Sequence, residues 1–211
     1  GVTWQDRSTS SWRIHFTRMS ASGATIGSEI HVSPADGISE LSRLLWTGSE
    51  YAAFWRNMTG GVGSIQMRRV ATDATLPDTS IVLISPYTYM SMAGVAWTGS
   101  EFGISWPEGS PHLKRVDPTG TSLSPPLDVD AGSTGATHCS CHWTGSEFIV
   151  TWGNGTIEFA SVDGAGTVAS PSATLTLNAM NPAGVWTGTK VGVTHDDSGD
   201  VLQMSLIEMC D

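Results

Sequence analysis

The sequence predicts an all-β protein built from tandem repeats, and three observations support this fold class. A Trp-Thr-Gly-Ser-Glu-aromatic phrase recurs along the 211 residues, with small departures in its last copy. Turn-forming residues interrupt the chain about every 8–12 residues, and the short apolar runs between them alternate with period two rather than with a helical period. The phrase returns after about 40–50 residues, a period typical of β-propellers.

Each repeat is organised around one β-hairpin. Its first strand ends on a Trp, Thr-Gly-Ser forms a tight turn in which Gly supplies the positive φ, and its second strand ends on an aromatic residue or His. The turn phrases begin at Trp46, Trp97, Trp143 and Trp186. The second strands close on Trp4, Trp55, Trp106, Trp152 and His195. The chain therefore opens inside a repeat, on the second strand of its first unit.

Two further strands complete each unit. A loop of variable length follows the hairpin, expected at residues 5–11, 56–64, 107–111, 153–155 and 196–200. Third strands are then expected at residues 12–19, 65–70, 112–116, 156–162 and 201–206. A second turn leads into a fourth strand, such as residues 81–84, and on into the next unit.

Four-stranded units of this kind bury their faces by stacking on one another around an axis. We therefore predict a single β-propeller domain over residues 1–211, with five blades of four-stranded antiparallel sheets and incomplete first and last blades. The blade units are expected near residues 1–39, 40–90, 91–136, 137–179 and 180–211. Two alternatives stay open: a ring of four blades, and a fragment of a larger ring that another chain completes.

The order of these pieces resembles the blades of the propeller domain in Tol-Pal translocation proteins. The matching features are a Trp-containing strand, a tight turn, a Phe-rich strand, and a later Val116-Asp-Pro-Thr-Gly120 or Val162-Asp-Gly-Ala-Gly166 segment. The repeats are still more similar to the propellers of secreted bacterial proteins, myxobacterial ones among them. This resemblance covers nearly the whole chain and implies the fold. It says little about function, because propellers include enzymes, lectins and scaffolds.

Composition restricts the possible partners and location. The formal net charge is −10 and no basic run exceeds two residues, as at Arg68-Arg69, so the chain lacks the basic surface that nucleic-acid binding requires. No apolar run reaches about 18 residues, which excludes a membrane-spanning helix. Gly, Ser and Thr are abundant while Lys is scarce. We expect a secreted or cell-surface protein from this composition.

The resemblance implies that ligands occupy the propeller face formed by the loops after the second and fourth strands. Five residues close the second strands on that face and are the candidate ligand-binding residues: Trp4, Trp55, Trp106, Trp152 and His195. Their rings could stack on sugars or on a cation. The alternative is core packing between blades, because each ring shares a strand face with core-type residues.

No catalytic or metal-binding residues are predicted. The repeated Glu50, Glu101 and Glu147 are interpreted as turn residues, because all lie at the same place in their units whereas catalytic carboxyl pairs need different environments. The cysteines and histidines of the run His138–His142 point to opposite faces of one strand, which disfavours a single metal site. No cofactor is expected, although the segments 128–130 and 196–200 could bind calcium. A disulfide from Cys139 or Cys141 to Cys210 stays open.

Near-identical repeats favour multivalent recognition. The sequence-based functional prediction is a non-catalytic binding module that recognises carbohydrate or a surface partner, analogous in fold to the five-bladed lectin tachylectin. Two alternatives stay open: a glycan-processing enzyme with channel carboxylates, and a scaffold or fragment of a larger assembly. Self-association or a completing chain at the first and last blades would fit the latter.

Overall fold

The computed structural model of the chain describes residues 1–8, 11–88, 91, 93–153, 155–197 and 202–208, with backbone alone at 171, 178, 197 and 208. The regular structure of these residues is entirely β, which confirms the predicted class. The strands are β1 Val2–Asp6, β2 Arg13–Met19, β3 Thr25–His31, β4 Ile38–Trp46, β5 Tyr51–Thr59, β6 Val62–Val70, β7 Ile81–Ile84, β8 Gly94–Trp97, β9 Phe102–Glu108, β10 Ser110–Val116, β11 Leu127–Asp128, β12 His138–Trp143, β13 Glu147–Gly153, β14 Gly155–Asp163, β15 Val168–Trp186, β16 Lys190–Asp197 and β17 Leu202–Glu208. This described part contains no helix, and so no apolar helix of membrane-spanning length.

The chain divides into two compact units, Gly1–Met92 and Ala93–Asp211. The first unit holds a three-stranded sheet, β1-β2-β3, and a four-stranded sheet, β4-β5-β6-β7. The second unit holds a four-stranded sheet of order β11-β10-β9-β8 and a six-stranded sheet, β12 to β17. Neighbouring strands pair antiparallel and follow chain order, so each sheet is a meander of the kind that forms propeller blades.

The repeated phrase forms the predicted hairpin turn in all four copies. Its glycines adopt the left-handed conformation, with φ of 102°, 104°, 109° and 98° at Gly48, Gly99, Gly145 and Gly188. The preceding Thr side chain closes the turn. In the first copy Thr47 Oγ1 donates to the Glu50 carbonyl at 2.9 Å and accepts the Glu50 N–H at 3.2 Å, and the other copies repeat both bonds. The phrase is therefore a structural turn.

No loop separates the two repeat units that are predicted to meet between residues 179 and 180. Strand β15 runs for 19 residues from Val168 to Trp186 and joins the predicted fourth strand of one unit to the first strand of the next. The segment 172–179 contains no Gly and alternates polar with apolar residues, so nothing ends the extended conformation there. A bulge between Met180 and Ala183, with φ of 55° at Asn181, marks the junction instead.

The prediction of a loop at residues 56–64 is wrong. Strand β5 continues to Thr59 and β6 begins at Val62, so a two-residue turn joins them. Gly60 and Gly61 form this turn with φ of 59° and 83°. Such positive values at both central positions belong to the tight hairpin turns that follow the twist of the strands. Arg56 consequently lies within a strand, with a fixed cross-strand neighbour.

Apolar faces of neighbouring sheets pack within each unit. In the first unit Ile14 and Phe16 of β2 pack against Ala53 and Trp55 of β5. In the second unit the ring of Phe148 lies against Gly103, where any side chain would collide with it. Full burial of such aromatic side chains is the main stabilising contribution to packing of this kind.

Candidate functional site

Four of the five predicted ligand-binding residues are buried. Trp55, Trp106, Trp152 and His195 expose 0%, 2%, 0% and 1% of their surface, respectively. Three of these rings have hydrogen-bond partners for a ring nitrogen. Trp106 Nε1 donates to Glu108 at 3.1 Å, Trp152 Nε1 donates to Glu158 at 2.9 Å, and His195 Nε2 lies 3.1 Å from Ser205 Oγ. These four side chains pack within their units.

Trp4 differs from the other four because its ring is only half-buried. Its centroid lies 5.4 Å from that of His15, which in turn lies 4.4 Å from that of His31. Carboxylate oxygens of Asp6 and Glu29 lie 3.7 and 3.5 Å from the two nitrogens of His15. The backbone N–H and the hydroxyl of Ser8 donate to Asp6 and lower its pKa, so Asp6 is a carboxylate at neutral pH.

A buried ion pair lies at the beginning of β4 in the same unit. Glu40 and Arg56 are direct cross-strand neighbours on β4 and β5. The Arg56 guanidinium donates to a carboxylate oxygen of Glu40, and the two residues expose only 3% and 6% of their surface. Arg56 also contacts Met58 Sδ at 3.1 Å, while its Nε–H is buried and finds no acceptor among the described residues.

This pair distinguishes one repeat from the others. Glu40 stands six residues before the turn Trp46. At the same place the other three copies carry Ser91, Thr137 and Met180. A carboxylate therefore occurs at this position once, and its arginine partner occurs with it. Sequence reasoning missed both residues, because Glu40 was assigned to the boundary of a unit and Arg56 to a loop.

The backbone beside Glu40 is held in an unusual conformation. Leu41 has a φ of 56°, in a region that bulky side chains rarely adopt and that costs about 1–3 kcal/mol. The Leu41 N–H donates to Gln5 Oε1 at 3.1 Å, which ties β4 to β1. Ser39 N–H donates to the Trp12 carbonyl at 2.9 Å. Contacts from Gln5 of β1 and from Trp12, just before β2, thus keep Glu40 at a bulge, where β4 bends away from regular pairing.

A pocket of about 230 Å³ opens beside Arg56. It lies between the β5–β6 turn and the segment that follows β7. These are a loop after a second strand and a loop after a fourth strand, the two kinds of loop that the resemblance implies for the ligand-binding face. Its wall is lined by Arg56, Met58, Gly61, Val62, Gly63, Pro86, Tyr87 and Thr88. Tyr87 is fixed there because its N–H donates to the Gly63 carbonyl and its hydroxyl donates to the Ser91 carbonyl, both at 2.8 Å.

The repeated Glu residues of the turns form ion pairs in two units. Both carboxylate oxygens of Glu50 accept hydrogen bonds from Arg69, at 2.7 and 3.1 Å. Glu101 accepts from Arg115 in the same way, at 2.7 and 2.9 Å. Such paired contacts tie the turn to the third strand of the unit.

Calcium was considered for the segments 128–130 and 196–200. Among the described residues no group of three or more His, Cys, Asp or Glu side chains is arranged to hold a metal ion. Asp130 accepts the N–H of Gly132 at 3.0 Å, and Asp196 accepts from Asn181 at 2.9 Å. The rest of the segment 196–200 lies outside the described residues or has only its backbone described.

Cys139 and Cys141 are buried free thiols on one face of β12, while Cys210 lies outside the described residues. Burial raises the pKa of both thiols. A Cys210→Ser variant should therefore show almost no reaction with Ellman's reagent in the folded state at pH 8, and two reactive thiols in 6 M guanidinium chloride. Rapid reaction of the folded variant would contradict this burial.

His142 lies on the opposite face of β12, over Gly184, where burial lowers its pKa to about 4. The folded state thus favours neutral His142, whereas the unfolded chain protonates it below pH 6.5. The contribution of neutral His142 to the free energy of unfolding is fully present above pH 6.5 and decreases as the pH falls towards 4. Between pH 7 and pH 5 the free energy of unfolding should fall by about 2 kcal/mol more in wild type than in His142→Gln, as measured by urea denaturation. Equal losses in the two proteins would contradict the buried neutral imidazole.

No protein-family model matches the sequence, and no curated protein matches it. Solved structures match it in fold. Native arabinanase from Bacillus subtilis has a TM-score of 0.55 and 8% identity, over 99% of this chain and 93% of that chain. The GH43 endo-arabinanase from Bacillus licheniformis has a TM-score of 0.50 and 9% identity, over 99% and 93%. A Trypanosoma rangeli sialidase has a TM-score of 0.56 and 12% identity, over 90% and 38%.

These matches correct the main functional prediction and confirm the fold. The sequence predicted a non-catalytic binding module, whereas the structures similar to this chain include arabinanases and a sialidase. At these identities the likeness establishes the architecture alone. The chain has the β-propeller fold.

Proposed function

We propose that this chain is a glycan-processing enzyme that hydrolyses glycosidic bonds. One observation carries the proposal: the buried Glu40–Arg56 pair occurs in a single repeat, beside a pocket lined by Arg56. Residues with a structural role in every blade would recur in every repeat, as the Thr residues of the turns do. Catalytic carboxyl groups instead need individual environments. The arabinanases and sialidase that share the fold support the same reading.

Glu40 is the proposed catalytic carboxylate. Its carboxylate can attack an anomeric carbon or accept a proton from the attacking water. Glycosidases generally use two carboxyl groups. Asp6 is the proposed second group, because the hydrogen bond between Gln5 and Leu41 joins the residues that adjoin Asp6 and Glu40. Since its pKa is lowered, Asp6 would act as a carboxylate that stabilises positive charge on the sugar rather than as the proton donor. The two environments differ, since Glu40 is buried whereas Asp6 exposes 35% of its side chain.

Trp4 is the proposed sugar-stacking residue of this site. Its ring is the most accessible of the five candidate ligand-binding rings, and it lies on the same strand as Asp6. Roles for the other four in ligand binding stay predictions, as do the absence of a cofactor and a secreted or cell-surface location. A glycan is the proposed partner, and self-association through the first and last blades also stays a prediction.

A substrate panel tests the proposal. The chain is incubated with soluble arabinan, arabinoxylan and sialyllactose, and with aryl glycosides of arabinofuranose, xylose and sialic acid. We expect at least one substrate to release sugar or aryl alcohol in proportion to enzyme concentration. The aryl glycosides are informative because their leaving groups depart without a proton donor. Absence of turnover on every substrate, at micromolar enzyme over a day, would contradict the proposal.

A further inference from the structure

A second pocket lies in the unit Ala93–Asp211, at the end of the sheets that carries the repeated Trp-Thr-Gly-Ser turns. Its volume is about 220 Å³, equal to about seven water molecules of the liquid. The lining residues are Thr98, Ser100, Glu101, Arg115, Trp143 and Gly164. They combine one aromatic wall, one ion pair and two hydroxyl groups. Nothing in the proposed hydrolytic chemistry uses them.

Trp143 forms the apolar wall of this pocket. Its ring packs against Phe148 with 4.7 Å between centroids, so the ring is held in place while the residue stays half-exposed. Gly164 leaves the edge of the ring open, because a Cβ there would lie 3.5 Å from Trp143 Cη2. An immobilised indole with accessible surface suits the apolar face of a sugar ring.

The Glu101–Arg115 pair forms the polar wall. Arg115 Nε and Nη2 donate to the two carboxylate oxygens of Glu101, and the side chains of Arg115 and Glu101 expose 18% and 14% of their surface, respectively. This pairing uses only part of the hydrogen-bonding capacity of either group. Because the charges cancel, the wall favours an uncharged ligand with several hydroxyl groups over an anion or a cation.

We propose that this pocket is a second, non-catalytic glycan contact that binds one sugar residue of a polymeric substrate. This inference rests on the proposed glycan-processing function and deepens it. The ion pair of this pocket does not occur in every repeat, although Glu50 and Arg69 form the same pair in the preceding one. The next copy of the turn Glu, Glu147, faces Asp163 across the strands, and the last copy has Lys190 in its place.

The test uses two matched substitutions in the Glu40→Gln background, so that the probe is not consumed. Trp143→Leu removes the pocket wall. Trp97→Leu removes the Trp at the same place in the preceding repeat, which packs on Phe102 at 4.5 Å and does not line this pocket. Native gel electrophoresis in gels containing soluble arabinan or soluble xylan measures binding as retardation. Circular dichroism confirms that both variants are folded.

We expect at least one of the two glycans to retard the background protein and the Trp97→Leu variant equally. The Trp143→Leu variant should bind that glycan at least about fivefold more weakly, the loss expected for about 1 kcal/mol of ring contact. Equal retardation of the two variants, or no retardation of the background protein by either glycan, would overturn this inference. Binding that depends on Trp143 in a protein that hydrolyses no substrate would instead contradict the proposed function and leave this contact standing.

Discussion

Replacing Glu40 with Gln should reduce the turnover of an aryl glycoside by about 10³-fold or more. Glutamine keeps the shape of the side chain and removes the charge that would attack the anomeric carbon or accept a proton from water. The loss should appear in kcat with little change in KM, because an aryl glycoside with a good leaving group depends on this carboxylate in the transition state. Initial rates over a range of substrate concentrations measure both quantities.

Glu50→Gln is the matched control. It also removes a carboxylate from a glutamate–arginine pair, here with Arg69 at 2.7 Å, but at the turn of the same sheet. We expect its turnover to stay within about twofold of wild type, since exposed and half-exposed pairs contribute about 1 kcal/mol or less to stability. Equal activity of the two variants would contradict a catalytic Glu40.

Stability must be measured beside activity for the Glu40 variant. The substitution leaves the Arg56 charge buried without its counterion, which costs about 3–5 kcal/mol in comparable pairs. The rates are therefore compared at a temperature at which urea titration shows the variant to be folded.

Replacing Trp106 with Ala should lower the free energy of unfolding by about 3–5 kcal/mol. Trp106 exposes 2% of its surface, its ring stacks on His112 at 5.3 Å, and its Nε1–H donates to Glu108. Truncation leaves a cavity and removes the hydrogen bond. Urea denaturation, monitored by circular dichroism, measures the change.

Trp46→Ala controls for the loss of an indole that is not in the core. Trp46 exposes 48% of its surface and packs on Tyr51 at 4.8 Å. We expect a cost of about 1 kcal/mol for this exposed ring. A loss below about 1 kcal/mol for Trp106→Ala would show that the ring at the end of β9 does not stabilise the fold.

The turns of the fold were predictable because their chemistry is local. A tight turn with positive φ requires glycine, and Gly48 and Gly99 hold that conformation where the repeated phrase predicts it. The junction within β15 was not predictable in this way. Extended backbone simply continues where no glycine or side-chain cap interrupts it, so the end of one repeat and the beginning of the next share a strand.

The candidate site was missed for a different reason. The pairing of Glu40 with Arg56 depends on the register between β4 and β5, which the turn from Thr47 to Glu50 and the bulge after Glu40 set together. The turn Gly60-Gly61 lies at the other end of β5. That glycine pair was the available signal, because it predicts strands that extend through Arg56. The sequence-based prediction of a site relied on residues that recur in every repeat. The proposed chemistry depends instead on one position, at which Glu40 differs from Ser91 and Thr137.

Chemical rescue tests most directly whether Glu40 acts at the anomeric carbon. Glu40→Ala leaves a cavity beside the Arg56 guanidinium, where a small anion can replace the carboxylate. We predict that 1 M sodium azide or sodium formate raises aryl glycoside hydrolysis by this variant at least about tenfold, that azide yields a glycosyl azide, and that wild type gains nothing. An inactive Glu40→Ala variant that is folded and stays inactive with both anions, or a variant as active as wild type without them, would contradict the account.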